Sequence, residues 1–228
     1  MDSSGRAAVA EFVATLGLVF IGAGAAITGG FGLDLTGVAL ASGLILAAMV
    51  SITAHVSIGM ANPAVAVGLW VAGRLSGPRT AVLVAAQVLG ALAGAFLLRY
   101  VAPGTAFEAA AGGTPVLASG IASGKGIVIE ATTTFLLVFA VFGTVVDPRG
   151  PFQKTAGLTI GLVLAVDIMA FGPYTGAAVN PARWLGPALA SGTWSDWFVW
   201  IVGPLAGGVI AAVLYTATLL RGAEPASP

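Results

Sequence analysis

Apolar residues run along this chain in six long blocks, at 7–28, 36–56, 80–101, 125–146, 155–172 and 197–220, separated by short stretches that hold most of the polar residues. Each block is close to the roughly 20 helical residues that cross a hydrocarbon core of about 30 Å. The pattern predicts six transmembrane helices. Two shorter apolar stretches, from Pro63 to Val71 and from Pro181 to Ala190, each follow an asparagine. Asn is a favoured N-cap and Pro a favoured first helical residue, so Asn62-Pro63-Ala64 and Asn180-Pro181-Ala182 read as helix starts. At 1.5 Å per residue these helices rise only about 13.5 and 15 Å, half a membrane each. Non-helical backbone at that depth is tolerated only where protein buries it or where it lines a water-filled cavity.

The pattern is written twice. "EFVATLGLVFIGAG" (11–24) and "EATTTFLLVFAVFG" (130–143) share Glu, Thr, Leu, Val, Phe and Gly at an offset of 119, and the two Asn-Pro-Ala triplets lie 118 apart. Two repeats, about 1–102 and 121–228, are thus expected, joined by the Gly-, Ala- and Pro-rich loop 103–120. Three spans per repeat is an odd number, so the second copy enters the membrane from the opposite face. An inverted repeat places a substrate path at the repeat interface, near the midplane. "GALAG" (90–94) and "GPLAG" (203–207) are small-residue faces that let helices approach closely.

Composition agrees with the pattern. Charged residues make up 8% of the chain and hydrophobic ones 58%, at a mean hydropathy of +1.02, against roughly 25% charged in soluble domains. No soluble domain fits. With six crossings, Arg6, Arg74, Arg79, Arg149, Lys154 and Arg221 fall on the side of the termini and Arg99 and Lys125 on the other, so the positive-inside rule puts both termini in the cytoplasm. The long first block carries Glu11, which reads as a span rather than a cleaved signal peptide. Cysteine is absent and net charge is zero. Disulfides and thiol-ligated metals are excluded, and nothing points to nucleic acid or calls for a cofactor.

Two half-helices that meet N-terminus to N-terminus each direct roughly +0.5 of a charge toward the centre. If each Asn carbonyl caps its own helix, both side-chain NH2 groups are left free to donate into the path. A water held there accepts from both and turns its hydrogens outward. Cations then meet a positive barrier, and a proton wire is broken.

These stretches, with "AEFVATLGLVFIGAGA" (10–25), "ANPAV" (61–65), "AAQVLGALAG" (85–94), "DPR" (147–149), "NPARWLGPAL" (180–189) and "VGPLAGG" (202–208), resemble the aquaporin, or major intrinsic protein, family over nearly the whole chain. The resemblance implies an all-α membrane protein of six tilted helices and two re-entrant half-helices, assembled as a homotetramer with four pores. It also implies a four-residue constriction, which an ungapped count puts at Ser42, Ile168, Ala177 and Arg183. Water-selective relatives usually have an aromatic at the first position and His at the second. Replacing an aromatic, which presents 150–250 Å2, by a hydroxymethyl removes on the order of 100 Å2 of blocking surface. The opening is expected to admit a small neutral polyol, urea or a hydroxylated metalloid, with Arg183 as main donor. Other marks favour water: Trp184 stands where glycerol-conducting relatives have Asp, and Trp200 keeps an aromatic near the sixth span. Trp184 is a candidate to intrude on the pore mouth, and Met60 stands where relatives often have His.

An ionised carboxylate inside a span costs about 2.5–3.5 kcal/mol on insertion scales, so Glu11 and Glu130 need partners. By resemblance they accept backbone N–H groups from the loops before the half-helices. Asp167 departs from the family, in which Asn is common. It either faces a neighbouring helix, protonated, or lies beside the path and responds to pH. His55, the only histidine, reads as a helix-end residue rather than a gate.

The expectation is a passive channel in a cell membrane for water and small uncharged solutes, excluding protons and ions. The alternative is a strictly water-selective channel. A coupled transporter would need an ion site, for which Asp167 alone is thin support. One His, no Cys and no clustered acid–base set disfavour an enzyme.

Overall fold

The computed structural model describes residues 3–150 and 153–220; Arg221, counted above in the charge balance, lies outside them. Among the described residues the secondary structure is all helical, and six helices are long and apolar enough to cross a membrane. They are α1 (Ser3–Ile27), α2 (Leu35–Ser57), α4 (Gly77–Val101), α6 (Ser123–Val141, extended by a π-turn Phe142–Val146), α7 (Ala156–Thr175) and α9 (Val199–Leu214, extended by a π-turn Tyr215–Leu219). The half-helices are α3 (Pro63–Val71) and α8 (Pro181–Ser191). The fifth span runs three residues beyond its expected end, through Pro173 to Thr175. Proline removes one N–H, and so late in the helix that loss does not end it.

Pairings between helices come in corresponding twos. α1 packs on α4 and α2, as α6 packs on α9 and α7. α2 and α7 cross between the halves, and each half-helix lies on the last span of the other half, α3 on α9 and α8 on α4. Small residues set these distances. A Cβ on Gly90 or Gly94 would strike the backbone of Phe12 or Leu16 in α1, and one on Gly207 the backbone of Ala131 in α6. Lipid tails supply no hydrophobic drive between helices, so this close van der Waals contact carries the association.

The connection 103–120 is more than a linker. It holds α5 (Gly104–Ala109) and a 3-10 turn at Ala111–Gly113. Ala118 donates its N–H to the Tyr174 carbonyl (2.9 Å), and the hydroxyls of Thr114 and Ser191 lie 3.1 Å apart. On the opposite face, buried Asp147 accepts two side-chain hydrogen bonds from Arg149 (2.9 and 2.7 Å) and one from Tyr215 (3.1 Å), while Arg149 also reaches the Leu219 carbonyl (2.6 Å). That network ties the α6–α7 connection to the end of α9.

Candidate functional site

The segments entering the half-helices are near copies in backbone and partners. Asn62 (φ −156°, ψ 118°) and Asn180 (φ −157°, ψ 111°) both cap with the side-chain oxygen, Asn62 accepting from the Ala64 N–H and Asn180 from those of Ala182 and Arg183. Upstream, three residues in each segment have positive φ: Ile58 (81°), Gly59 (70°) and Ala61 (47°) in the first, Gly176 (77°), Ala177 (40°) and Val179 (46°) in the second. For a residue with a Cβ, left-handed backbone costs roughly 1–2 kcal/mol. Something must hold it.

A buried carboxylate does so in each half. Glu11 accepts the N–H groups of Met60 (2.9 Å) and Ala61 (2.7 Å) and the Ser57 hydroxyl (2.7 Å). Glu130 accepts those of Ala178 (3.0 Å) and Val179 (2.8 Å) and the Thr175 hydroxyl (2.7 Å). Both glutamates have 0% exposure, so these charge-assisted bonds replace the water each lost. Gln87 adds a fourth donor to Glu11 (2.7 Å). Ser57 and Thr175, absent from the sequence expectations, also accept from the N–H groups of Gly59 and Ala177. Their signal was available: two hydroxyl residues at the same offset of 118 as the asparagines.

The asparagine amides differ from the simple expectation. Asn62 Nδ2 donates to the Val179 carbonyl (2.8 Å), and Asn180 Nδ2 donates to that of Ala61 (2.7 Å). An amide NH2 carries two donors, so each keeps one N–H for the path rather than both. The crossed bonds join the two half-helix entrances.

Both asparagines border one cavity, whose wall is otherwise largely apolar, including Leu18, Leu46, Val65, Leu137, Val141 and Leu164. Ser42, Ile168, Ala177 and Arg183 line it too, and so does Met60. Ser42, Ile168 and Arg183 also border a second cavity roofed by Gly113, Thr114, Pro115 and Val116. These residues therefore stand where the inner path meets an outer vestibule. Arg183 Nη1 donates to the Gly113 carbonyl (2.9 Å), which makes the connection 103–120 part of the site.

Trp184 does not intrude on the mouth. It is 1% exposed and borders neither cavity. Consecutive helical residues point about 100° apart at 3.6 residues per turn, so with Arg183 at the path its neighbour faces the bundle. There it stacks on Trp200, at 5.4 Å between centroids and 6° between planes. Asp167 is buried beside Ile168 and likewise borders neither cavity, with Oδ2 lacking a hydrogen-bond partner among the described residues. His55 is exposed on the last turn of α2. Among the described residues no cluster of His, Cys, Asp or Glu could hold a metal ion.

A helical bundle with six membrane-length helices, entered by two half-helices whose capping asparagines border one path, defines a membrane channel. The chain belongs to the major intrinsic protein family, whose sequence model matches residues 2–215. It is 43% identical to "Aquaporin TIP4-4" of Zea mays over 96% of this chain and 90% of that one. It is 40% identical to "Aquaporin TIP2-1" of Arabidopsis thaliana over 96% and 89%. Its fold matches the crystal structure of the aquaglyceroporin from Plasmodium falciparum with a TM-score of 0.83 at 24% identity, covering 95% of this chain and 97% of that one.

Proposed function

We propose that this channel passes water together with small uncharged solutes such as glycerol, urea or neutral metalloid hydroxides, and excludes protons and ions. The observation that carries the reading is the meeting of Ser42, Ile168 and Arg183 at the junction of inner path and outer vestibule, with Ala177 on the inner side and no aromatic ring among the four. Arg183 supplies directed donors against an apolar wall, which suits a neutral molecule with hydroxyl, carbonyl or amide groups. Its fixed charge, the half-helix dipoles and the paired asparagine N–H groups oppose cations. Crossed bonds between the halves, together with the paired glutamates, support the inverted repeat of about 1–102 and 121–228. The protein acts as a homotetramer in a cell membrane with both termini in the cytoplasm. The loop side of Arg149 and Lys154 supports that orientation.

Light scattering of reconstituted vesicles tests the solute directly. Gradients of an impermeant osmolyte, glycerol and urea in turn should show water flux followed by solute entry. Vesicles that pass water but neither glycerol nor urea would leave the strictly water-selective channel as the function.

A further inference from the structure

Behind the filter lies a pair of indoles that the solute never meets. Trp184 and Trp200 are both 1% exposed and stack nearly parallel. Trp194, on the exposed side, closes the stack with an edge against Trp184 at 5.7 Å and 77°. Each stacked indole spends its only donor on a carbonyl of a different segment. Trp184 Nε1 donates to Pro115 (3.2 Å) and Trp200 Nε1 to Thr175 (3.0 Å).

Thr175 lies two residues before Ala177, and Pro115 two residues after the anchor of Arg183. Pro115 follows Gly113, whose carbonyl anchors the Arg183 guanidinium. Thr175 precedes Ala177, and its hydroxyl both donates to Glu130 and accepts the Ala177 N–H. Thus one rigid stack, rooted in α8 and α9, holds the roof of the vestibule and the end of α7. Arg183 and Trp184, adjacent in sequence, grip the same strap at Gly113 and Pro115 from the path side and the core side.

We propose that Trp184 and Trp200 are positioning residues of the filter, setting through one stack the place of Arg183 and of the Ala177 segment and hence the solute cut-off. The inference rests on the channel reading above. It assigns a role to chain positions outside the path itself. Because the donors act through a shared stack, loss of either frees the same wall, and the opening widens for solutes more than for water.

The full-length channel, reconstituted in vesicles and normalised to protein, tests this through glycerol-to-water and urea-to-water permeability ratios. Trp184→Phe and Trp200→Phe should each raise the ratios about three- to tenfold, the range a lost hydrogen bond supplies. The double variant should add little to either single one. Trp197→Phe, at an exposed ring, should leave them unchanged. Benzothienylalanine at position 184 keeps the ring shape and deletes only the donor, and it should match Trp184→Phe in the ratios with a smaller loss of thermal stability. Ratios within twofold of wild type in these variants, with only the melting temperature lowered, would overturn the proposal and leave the indoles as packing. If the wild type passes water alone, the broad-solute reading fails, yet the positioning role still requires urea entry to appear in Trp184→Phe.

Discussion

Asn62 donates its side-chain amide to the carbonyl of Val179 across 2.8 Å, one residue before the asparagine that caps the opposite half-helix. The reciprocal bond from Asn180 to Ala61 closes a ring of two side chains and two backbone segments. Each amide is therefore oriented by three contacts on its own and the facing segment, or by two where the cap is single. The N–H left for the path points from a fixed frame.

Replacing Asn62 and Asn180 together by Asp tests that frame. Asp still caps a helix, so the half-helices are expected to persist. The crossed donors vanish, however, and negative charge replaces them at the positive helix ends. Cation leak should appear in the double variant under patch clamp or in a proton-flux assay. Unchanged ion exclusion would move the barrier to Arg183.

The carboxylate anchors give a graded series. Glu11→Gln or Glu130→Gln turns an NH2 toward a backbone N–H, leaving a buried donor unpaired at a cost of about 1–3 kcal/mol. Ser57→Ala or Thr175→Ala removes one hydroxyl while the carboxylate keeps its backbone partners. Thermal unfolding in detergent should rank the Gln variants well below the Ala variants. Equal melting temperatures would contradict the assignment of the glutamates as the main restraint on the left-handed segments.

Ser42→Phe should narrow the filter. A Cβ on Gly22 would already lie 3.1 Å from Ser42 Oγ, so α1 leaves no room behind position 42 and the ring must enter the path. Glycerol and urea entry should fall much more than water flux in the vesicle assay. A proportional fall in all three would mean simple blockage rather than selectivity.

The Asp147 network predicts a pH dependence on the terminal side. Hydrogen bonds from Arg149 hold the Asp147 carboxyl well below its ordinary value of 3.8. A lowered folded-state value stabilises the fold above the ordinary value and loses that contribution as pH falls below it. Asp147→Asn should therefore lower the melting temperature at pH 7, and the difference from wild type should shrink progressively below pH 3.8. A constant difference down to strongly acidic pH would show that packing, not charge, carries the contribution.

What the sequence by itself determined is what depends on near neighbours along the chain. A run of apolar residues must satisfy its backbone as a helix inside lipid, so the six spans were legible to within a few residues. Asn followed by Pro marks a helix start through groups within three residues, and α3 begins and ends where that reading put it. The matched offsets likewise paired Glu11 with Glu130 before any contact was known. Tertiary structure alone decided where side chains with several possible partners turned. Asn62 met Val179 and Asn180 met Ala61, which lie 117 and 119 residues away. The connection 103–120 became the roof of the outer cavity through Gly113 and Pro115. Trp184, open on sequence grounds to a place in the mouth, faces Trp200 because adjacent helical positions diverge by about 100° and Arg183 already holds the path side. Such choices depend on how half-helices and spans from both halves pack together, and chain-local propensity carries no information about that packing.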